Sequence, residues 1–168
     1  MTALDGTGPV DRVGGAGRVV GADPVLRDDR VVQADGRSKA YRPLPVEART
    51  AAVLEGLAAY ERGEPFEAHE AWEPAWMGTS DVAERALLQG LIKLAAADVH
   101  GGRGNPRGVA RNLAGALERL RTAADAGVTS APGIAIDVGA LIDAAEARLG
   151  RADLGETTET IAIPWRPA

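Results

Sequence analysis

The strongest constraint on the fold of this chain is the spacing of its apolar residues between positions 41 and 150. Leucine, alanine and valine recur every three or four residues through this stretch, and the alternation typical of strands is absent. Such a period places apolar side chains along one face of a helix. The sequence therefore predicts an all-α domain, a compact bundle of about five helices.

Glycine, proline and capping residues divide this domain into its helices. Ser80 or Asp81 is the expected N-cap of the third helix, with Glu84 as its capping-box partner. Asn105 followed by Pro106 is the expected start of the fourth. The sequence predicts helices over about 45–62, 64–77, 82–100 and 105–126, a turn over 127–133, and a fifth helix with the inner stripe Val138, Leu141, Ile142, Ala145 and Leu149. The third helix is apolar around most of its circumference, which predicts that it is central.

The residues on either side of the domain differ from it in composition. Residues 1–40 contain 7 glycines and no aromatic residue, so they bury too little apolar surface to offset the entropy of ordering. We interpret them as a disordered or loosely attached leader, 41–150 as the helical domain and 151–168 as an extended tail. Apolar residues alternate from Ile161 to Trp165, which predicts that the tail lies across a groove on the bundle.

Cysteine content and charge exclude several functional classes. The chain of 168 residues has no cysteine, which excludes disulfides, a thiol nucleophile and Cys-ligated metal sites. Its formal net charge of −5 argues against binding nucleic acid through bulk positive charge. No apolar run approaches the roughly 20 residues of a membrane span, and no signal-peptide pattern opens the sequence. We therefore expect a soluble cytoplasmic protein with no nucleic-acid or membrane partner.

The second predicted helix gathers most of the residues that could do chemistry. Residues 41–76 contain five of the six aromatic residues and one of the two histidines. Within FEAHEAWEPAW, spacings of three and four residues form one stripe on a helix, which consists of Phe66, His69, Glu73 and Trp76. His69 and Glu73 are one turn apart, close enough for an imidazole–carboxylate pair. Partial burial of such a pair favours proton transfer or metal binding.

A metal site is one interpretation of these residues. Two histidines and a carboxylate are a common ligand set for zinc or non-haem iron, so His69, Glu73 and His100 are candidate ligands of a divalent metal. A simple antiparallel hairpin of the second and third helices puts His100 about 16 Å beyond the level of His69, which works against this set. The better-supported cluster contains His69, Glu73 and Gln89, with Arg85 as a further member, and its lining candidates are Phe66, Trp72, Trp76 and Arg85.

Two separated sequence blocks carry a family resemblance. The first is the His-x-x-x-Glu-x-x-Trp pattern from His69 to Trp76, and the second comprises the Gln-Gly-Leu-Ile run at 89–92 and the segment at 100–105. Over about 45–122 the chain resembles the bacterial and plant family called domain of unknown function 309. The resemblance implies a helical fold and a candidate site at the matching residues. It implies no established activity.

A second candidate site follows the third helix. Residues 93–121 contain six basic and two acidic residues, whereas residues 61–84 contain one basic and seven acidic residues. One interpretation is a solvated or salt-bridged set of complementary helix faces. The other is an anion-binding corner in which Arg103, Asn105 and Arg107 meet the free N–H groups at the start of the fourth helix. As an N-cap, Asn105 would have a purely structural role.

Three functional classes stay open at this point. The leading hypothesis is a small binding or scaffold module with a polar cluster of His69, Glu73 and Gln89, whose hydrogen bonds orient the helices. The alternative is a metal-dependent, hydrolase-like enzyme that uses His69 and Glu73, with His100 as the least supported ligand. The third is partner binding, in which alanine-rich helices form the interface of a homo-oligomer.

Overall fold

The computed structural model describes residues 30–32, 38–156 and 159–168, with side chains from residue 41 onward. Most of the leader predicted at 1–40 lies outside the described residues. Within it, two short strands, β1 (Arg30–Val32) and β2 (Ser38–Ala40), pair antiparallel. The helical domain follows directly after β2.

Five α-helices form the body of the described chain, as the sequence predicts. They are α1 (Val46–Glu61), α2 (Pro65–Gly78), α3 (Val82–Gly102), α4 (Pro106–Asp125) and α5 (Val138–Asp153). The first four agree with the predicted ranges to within about two residues at each end. Because α3 packs against both α2 and α4, while α1 packs on α2 and α5 on α4, α3 is central. The central position predicted for this helix from its apolar circumference is confirmed.

The hydrophobic core is centred on α3, and all five helices contribute to it. Its largest fully buried apolar side chains include Leu57, Trp72, Leu87, Leu88, Leu91, Leu94, Leu113, Leu120 and Leu141. None of the described helices combines the length and the apolar character needed to span a bilayer.

Side-chain caps fix the starts of α3 and α4. The Asp81 carboxylate accepts a hydrogen bond from the Glu84 backbone N–H at 2.9 Å. The Asn105 side chain accepts one from the Gly108 backbone N–H at 3.0 Å. Each cap satisfies N–H groups that have no acceptor within the helix. Both predicted N-caps are confirmed.

The capping-box role predicted for Glu84 is wrong. The backbone N–H of Asp81, which a box partner would bind, donates instead to the Thr79 hydroxyl at 3.2 Å. The Glu84 carboxylate binds the Arg49 guanidinium at 2.9 Å. A charged partner on α1 therefore outcompetes the local N–H group, because charge-assisted hydrogen bonds are stronger than neutral ones.

A short hairpin between α4 and α5 replaces the predicted simple turn. β3 (Ser130–Ala131) and β4 (Ile134–Ile136) pair antiparallel. Gly133 in the connection has a φ of 80°, a left-handed conformation that favours glycine. Ile134 and Ile136 are buried. The expectation that strand alternation is absent from 41–150 is therefore wrong here, although the alternation extends over only three residues.

The tail completes this small sheet. β5 (Trp165–Pro167) pairs antiparallel with β4, which gives the strand order β3-β4-β5. Ile161 is buried and Trp165 packs against the core, so the tail lies across the bundle as its alternation predicts. The Trp165 indole N–H donates a hydrogen bond to Glu61 Oε1 at 2.8 Å. This bond ties the tail to the end of α1.

The inner face of α5 includes a charged residue that the predicted stripe omits. Val138, Leu141 and Ala145 are buried and Ile142 and Leu149 pack against the core as predicted, but Arg148 is buried as well. Position 148 follows 141 and 145 by seven and three residues, which returns to the same face of a helix. A charged side chain therefore occupies a core position, where it needs a buried partner.

Candidate functional site

The stripe predicted on α2 is divided between the core and the surface. Trp76 of this stripe is buried, as is the nearby Trp72, whereas Phe66 is 54% exposed. His69 and Glu73 are half-buried. Because α2 packs against both α1 and α3, its buried face holds the bundle together. The face with Phe66 opens to solvent.

His69 makes a contact that its helical spacing did not predict. Its Nδ1 lies 3.2 Å from Oε1 of the adjacent Glu70. The His69 side chain is 28% exposed and the Glu70 side chain 57% exposed, so the pair lies at the surface. A surface pair of this kind contributes about 0–1 kcal/mol to stability. The imidazole is therefore accessible rather than sealed in the core.

The predicted cluster is not joined through the side chain of Gln89. Arg85 is buried, and its Nη2 donates to the Thr79 carbonyl oxygen at 2.5 Å, which stabilises the turn between α2 and α3. Gln89 is half-buried and makes no side-chain hydrogen bond with the part of the chain that the structure describes. The network predicted among His69, Glu73 and Gln89 is thus not closed through Gln89.

The candidate metal ligands His69 and His100 have different partners. His69 contacts Glu70, while Nδ1 of His100 lies 3.0 Å from the Asn105 side-chain amide at the end of α3. Within residues 41–156 and 159–168, no three His, Asp or Glu side chains are grouped so as to hold a metal ion. A protein metal site usually has three or more protein ligands. His69 and His100 therefore do not belong to one three-ligand group of this kind among the described residues.

His100 and Asn105 form a hydrogen-bonded corner between α3 and α4. The Asn105 Oδ1 accepts the Gly108 N–H, which fixes the orientation of the amide. The amide nitrogen lies 3.0 Å from His100 Nδ1. A Cβ at Gly108 would overlap the His100 ring. Asn105 therefore has the structural role expected of an N-cap.

The basic residues near this corner lie at the surface, outside the adjoining cavity. Arg103 and Arg107 are exposed, and their side chains make no ion pair with described residues. The adjoining cavity, of about 260 Å³, is lined by Asn105 and by Glu156, whose carboxylate would repel an anion. Neither arginine lines it. These two arginines form an exposed basic edge.

A buried polar network, which the sequence did not predict, joins α1, α3 and α5. The Tyr60 hydroxyl donates a hydrogen bond to Asp98 Oδ2 at 2.7 Å, and Arg148 Nη2 lies 2.6 Å from Asp98 Oδ1. The Arg148 and Asp98 side chains are 2% and 5% exposed. Burial, together with the Asp98 carboxylate, holds the pKa of Tyr60 far above its usual value. Tyr60 therefore stays a hydrogen-bond donor; we call these three residues the buried network.

Trp72 packs beside the buried network. Its indole N–H donates to the Val53 carbonyl oxygen at 3.1 Å, and its ring centroid lies 5.8 Å from that of Tyr60. A Cβ at Gly56 would overlap the indole, so glycine lets α1 approach α2 at this point. Trp72 is therefore an anchor between two helices rather than the lining of an open pocket.

The sequence does hold a signal for the buried network. Asp98 stands within AAADV, in the most apolar helix, and Arg148 falls on the inner face of α5. A charge inside an apolar stripe indicates a buried partner of opposite sign. Tyr60 is buried on α1, one of the helices that forms the core.

Two adjoining cavities share the ion pair between Arg49 and Glu84. One, of about 510 Å³, extends towards Tyr41, and the other, of about 350 Å³, towards the loop before β3. Arg49 also donates from Nη1 to the Leu44 carbonyl oxygen at 2.7 Å. Asp81 and Glu84 line both cavities, so their negative charge offsets Arg49.

A family match covers the middle of the chain. Residues 53–113 match the model of the family described as Domain of unknown function (DUF309). The resemblance expected from the two sequence blocks is confirmed, over a shorter range than the expected 45–122. The matched segment includes the α2 stripe and the corner at His100 and Asn105. No curated protein and no solved structure matches the chain.

Proposed function

We propose that this chain, whose residues 53–113 match the DUF309 family model, is a protein-binding module. The family description names no activity, so the proposal depends on this chain's own residues. The binding surface is the outer side of α2, formed by Phe66, Glu67, His69 and Glu70, which we call the α2 face. The observation that carries the proposal is the exposed Phe66 within the family segment.

Phe66 supplies an apolar anchor for a partner. It is the one phenylalanine of the chain, and 54% of its side chain is exposed. Burying an apolar side chain of this size contributes about 1.5–3 kcal/mol, and aromatic anchors dominate many protein interfaces. Trp72 and Trp76, in the same sequence block, are buried in the bundle. Phe66 is the aromatic residue of this block that a partner can reach.

The charge around Phe66 favours a basic partner. Residues 61–84 contain seven acidic residues and one basic residue. That basic residue, Arg62, is bound to Glu64 at 2.7 Å, and Glu67 and Glu70 are exposed. Complementary charge steers association and selects partners. The partner we infer is a protein segment in which lysine or arginine residues surround an apolar side chain.

A surface contact suits the α2 face better than a small-molecule pocket does. Four cavities of about 260 to 670 Å³ are lined by described residues, and none of these four includes Phe66, His69 or Glu70. Small-molecule sites are concave, whereas protein interfaces combine a buried aromatic anchor with a polar rim. The α2 face has the composition of a protein interface, with Phe66 as the aromatic anchor and charged residues around it.

A synthetic basic peptide tests the proposal. A peptide of about 14 residues, built from lysine and leucine, is titrated into the full chain by calorimetry, with glutamate replacing lysine in the control peptide. We expect the lysine peptide to bind and the glutamate peptide not to bind. The variants Phe66→Ala and Glu70→Gln should each weaken binding, by about tenfold or more for Phe66→Ala.

Two further variants control for non-specific attraction. Leu154→Ala removes an apolar side chain that is 78% exposed, and Glu118→Gln removes an exposed carboxylate on α4. Neither should change peptide affinity. If these variants weaken binding as much as Phe66→Ala and Glu70→Gln do, the peptide recognises bulk charge and the proposal is wrong.

A further inference from the structure

We propose that a cleft outside the family segment binds a free α-amino acid with an apolar side chain. The cleft, of about 670 Å³, lies where the end of α4, the β3–β4 hairpin, the start of α5 and the tail meet. Ligand sites commonly measure about 300–1,000 Å³. Its lining includes Val128, Thr129, Asp137, Gly139, Pro164 and Arg166.

Arg166 supplies an unused cation in this cleft. Its side chain is exposed and makes no hydrogen bond or ion pair with the rest of the described chain. Ala135, which pairs with Arg166 across β4 and β5, also lines the cleft, so the two side chains share one face of the sheet. A guanidinium binds a carboxylate through two parallel hydrogen bonds. A carboxylate is therefore the group that Arg166 would take.

The start of α5 adds donors and one charged acceptor. The Ala140 N–H donates to Asp137 Oδ1 at 2.9 Å, and the Leu141 N–H donates to the Asp137 carbonyl oxygen at 3.1 Å. The preceding N–H groups, of Val138 and Gly139, have no acceptor within the helix, and both residues line the cleft. Asp137 Oδ2 has no hydrogen bond to a described residue. A carboxylate and an ammonium group can thus both find partners.

The charged and the apolar residues that line the cleft indicate which class of ligand it would bind. A simple anion would meet the Asp137 carboxylate as well as Arg166, whereas a zwitterion matches both charges. The apolar residues Val128 and Pro164 fit an aliphatic or aromatic side chain. A compact zwitterion with an apolar body is an α-amino acid, and leucine represents the class.

This cleft is separate from the α2 face, so the two proposals can fail independently. Its lining residues run from 124 to 166, beyond the family segment at 53–113. Trp165 also lines the cleft, whereas Trp72 and Trp76 are buried in the bundle. A change in tryptophan emission that the variant Trp165→Phe removes would therefore report on this cleft.

Calorimetric titration of the full chain with L-leucine tests the inference. We expect saturable binding, and binding at least about tenfold weaker for isocaproate, which lacks the ammonium group, and for isoamylamine, which lacks the carboxylate. Arg166→Gln should weaken leucine binding at least about tenfold, and Arg166→Lys less, because lysine keeps the charge. Asparagine is also a good N-cap, so Asp137→Asn should leave the start of α5 intact. This variant should weaken the binding of leucine but not that of isocaproate, because isocaproate lacks the ammonium group that Asp137 would bind.

The matched control is Arg107→Gln, which removes an exposed arginine that does not line the cleft. It should bind leucine as the unmodified chain does. The inference is overturned if leucine at about 10 mM, above the range of a weak specific site, produces neither heat nor a change in Trp165 emission. It is equally overturned if isocaproate or isoamylamine binds as tightly as leucine, or if Arg166→Gln binds leucine unchanged.

Discussion

Asp98 and Glu70 are both carboxylates next to a nitrogen-bearing side chain, yet their side chains are 5% and 57% exposed. Asp98 lies 2.6 Å from Arg148 and also accepts the Tyr60 hydroxyl, so three helices meet at one buried charge pair. Among the described residues, the polar partner of the Glu70 carboxylate is the adjacent His69, on its own helix, at 3.2 Å. The difference separates two environments: the buried network joins three helices inside the bundle, whereas the α2 face, where we propose that a partner binds, is exposed to solvent.

The largest effect we expect comes from breaking the buried network. Asp98→Asn removes the carboxylate charge opposite the buried Arg148, and we expect the free energy of unfolding to fall by about 3–5 kcal/mol. Urea denaturation measures this change, and the matched variant Glu70→Gln should alter stability by less than about 0.5 kcal/mol. Comparable losses in the two variants would contradict the distinction between the regions.

The same network predicts a loss of stability at alkaline pH. The pKa of Tyr60 is raised in the folded chain, chiefly by burial, whereas an unfolded tyrosine ionises near pH 10. Above about pH 10 the unfolded state therefore binds fewer protons than the folded state, and stability falls as pH rises. Denaturation at about pH 9 and pH 11 should show this fall, and Tyr60→Phe should reduce it. An equal fall in stability in the unmodified chain and in Tyr60→Phe would exclude Tyr60 as the source of the fall.

A smaller effect is expected on the α2 face. His69→Ala removes a ring that is 28% exposed and pairs only with a surface carboxylate among the described residues, so we expect a stability change within about 0.5 kcal/mol, measured by thermal melting. The structural control is Asn105→Ala, which should cost about 1 kcal/mol through the lost N-cap. A loss in His69→Ala as large as that in Asp98→Asn would assign His69 to the framework of the bundle.

The smallest effect is expected from metal removal. We expect a chelator to leave the melting temperature unchanged, because His69 and His100 contact Glu70 and Asn105 in separate places. Elemental analysis of untagged protein should then find less than about 0.1 equivalent of any transition metal. One equivalent of bound zinc that His69→Ala removes would instead support the metal-dependent alternative.

The helices could be predicted because local signals determine them. Asp81 and Asn105 each cap a helix through atoms two or three residues away, so neighbouring sequence is sufficient. The β3–β4 hairpin was missed because only Ile134 and Ile136 carry its alternation, too few to show a strand period. Its formation depends on the tail strand and on the core beneath it, both distant in the chain.

The candidate site was predictable in position but not in contacts. The spacing correctly put Phe66 and His69 on α2, but which carboxylate His69 meets depends on side-chain rotamers that spacing does not determine. Predicting the buried network requires knowledge of the tertiary structure. Tyr60 and Asp98 are 38 residues apart, and Arg148 arrives on another helix, so their meeting follows from how α1, α3 and α5 pack.

The family segment and the folded unit have different limits. Residues 53–113 begin inside α1 and end inside α4, whereas Arg148 and Trp165 lie beyond them. A fragment cut at those limits would keep Asp98 and lose the arginine that neutralises it. The part of the chain that is recognisable by sequence therefore depends on the part that is not. Substitutions in α5 or the tail can alter the behaviour of the family residues without contacting any residue of the α2 face.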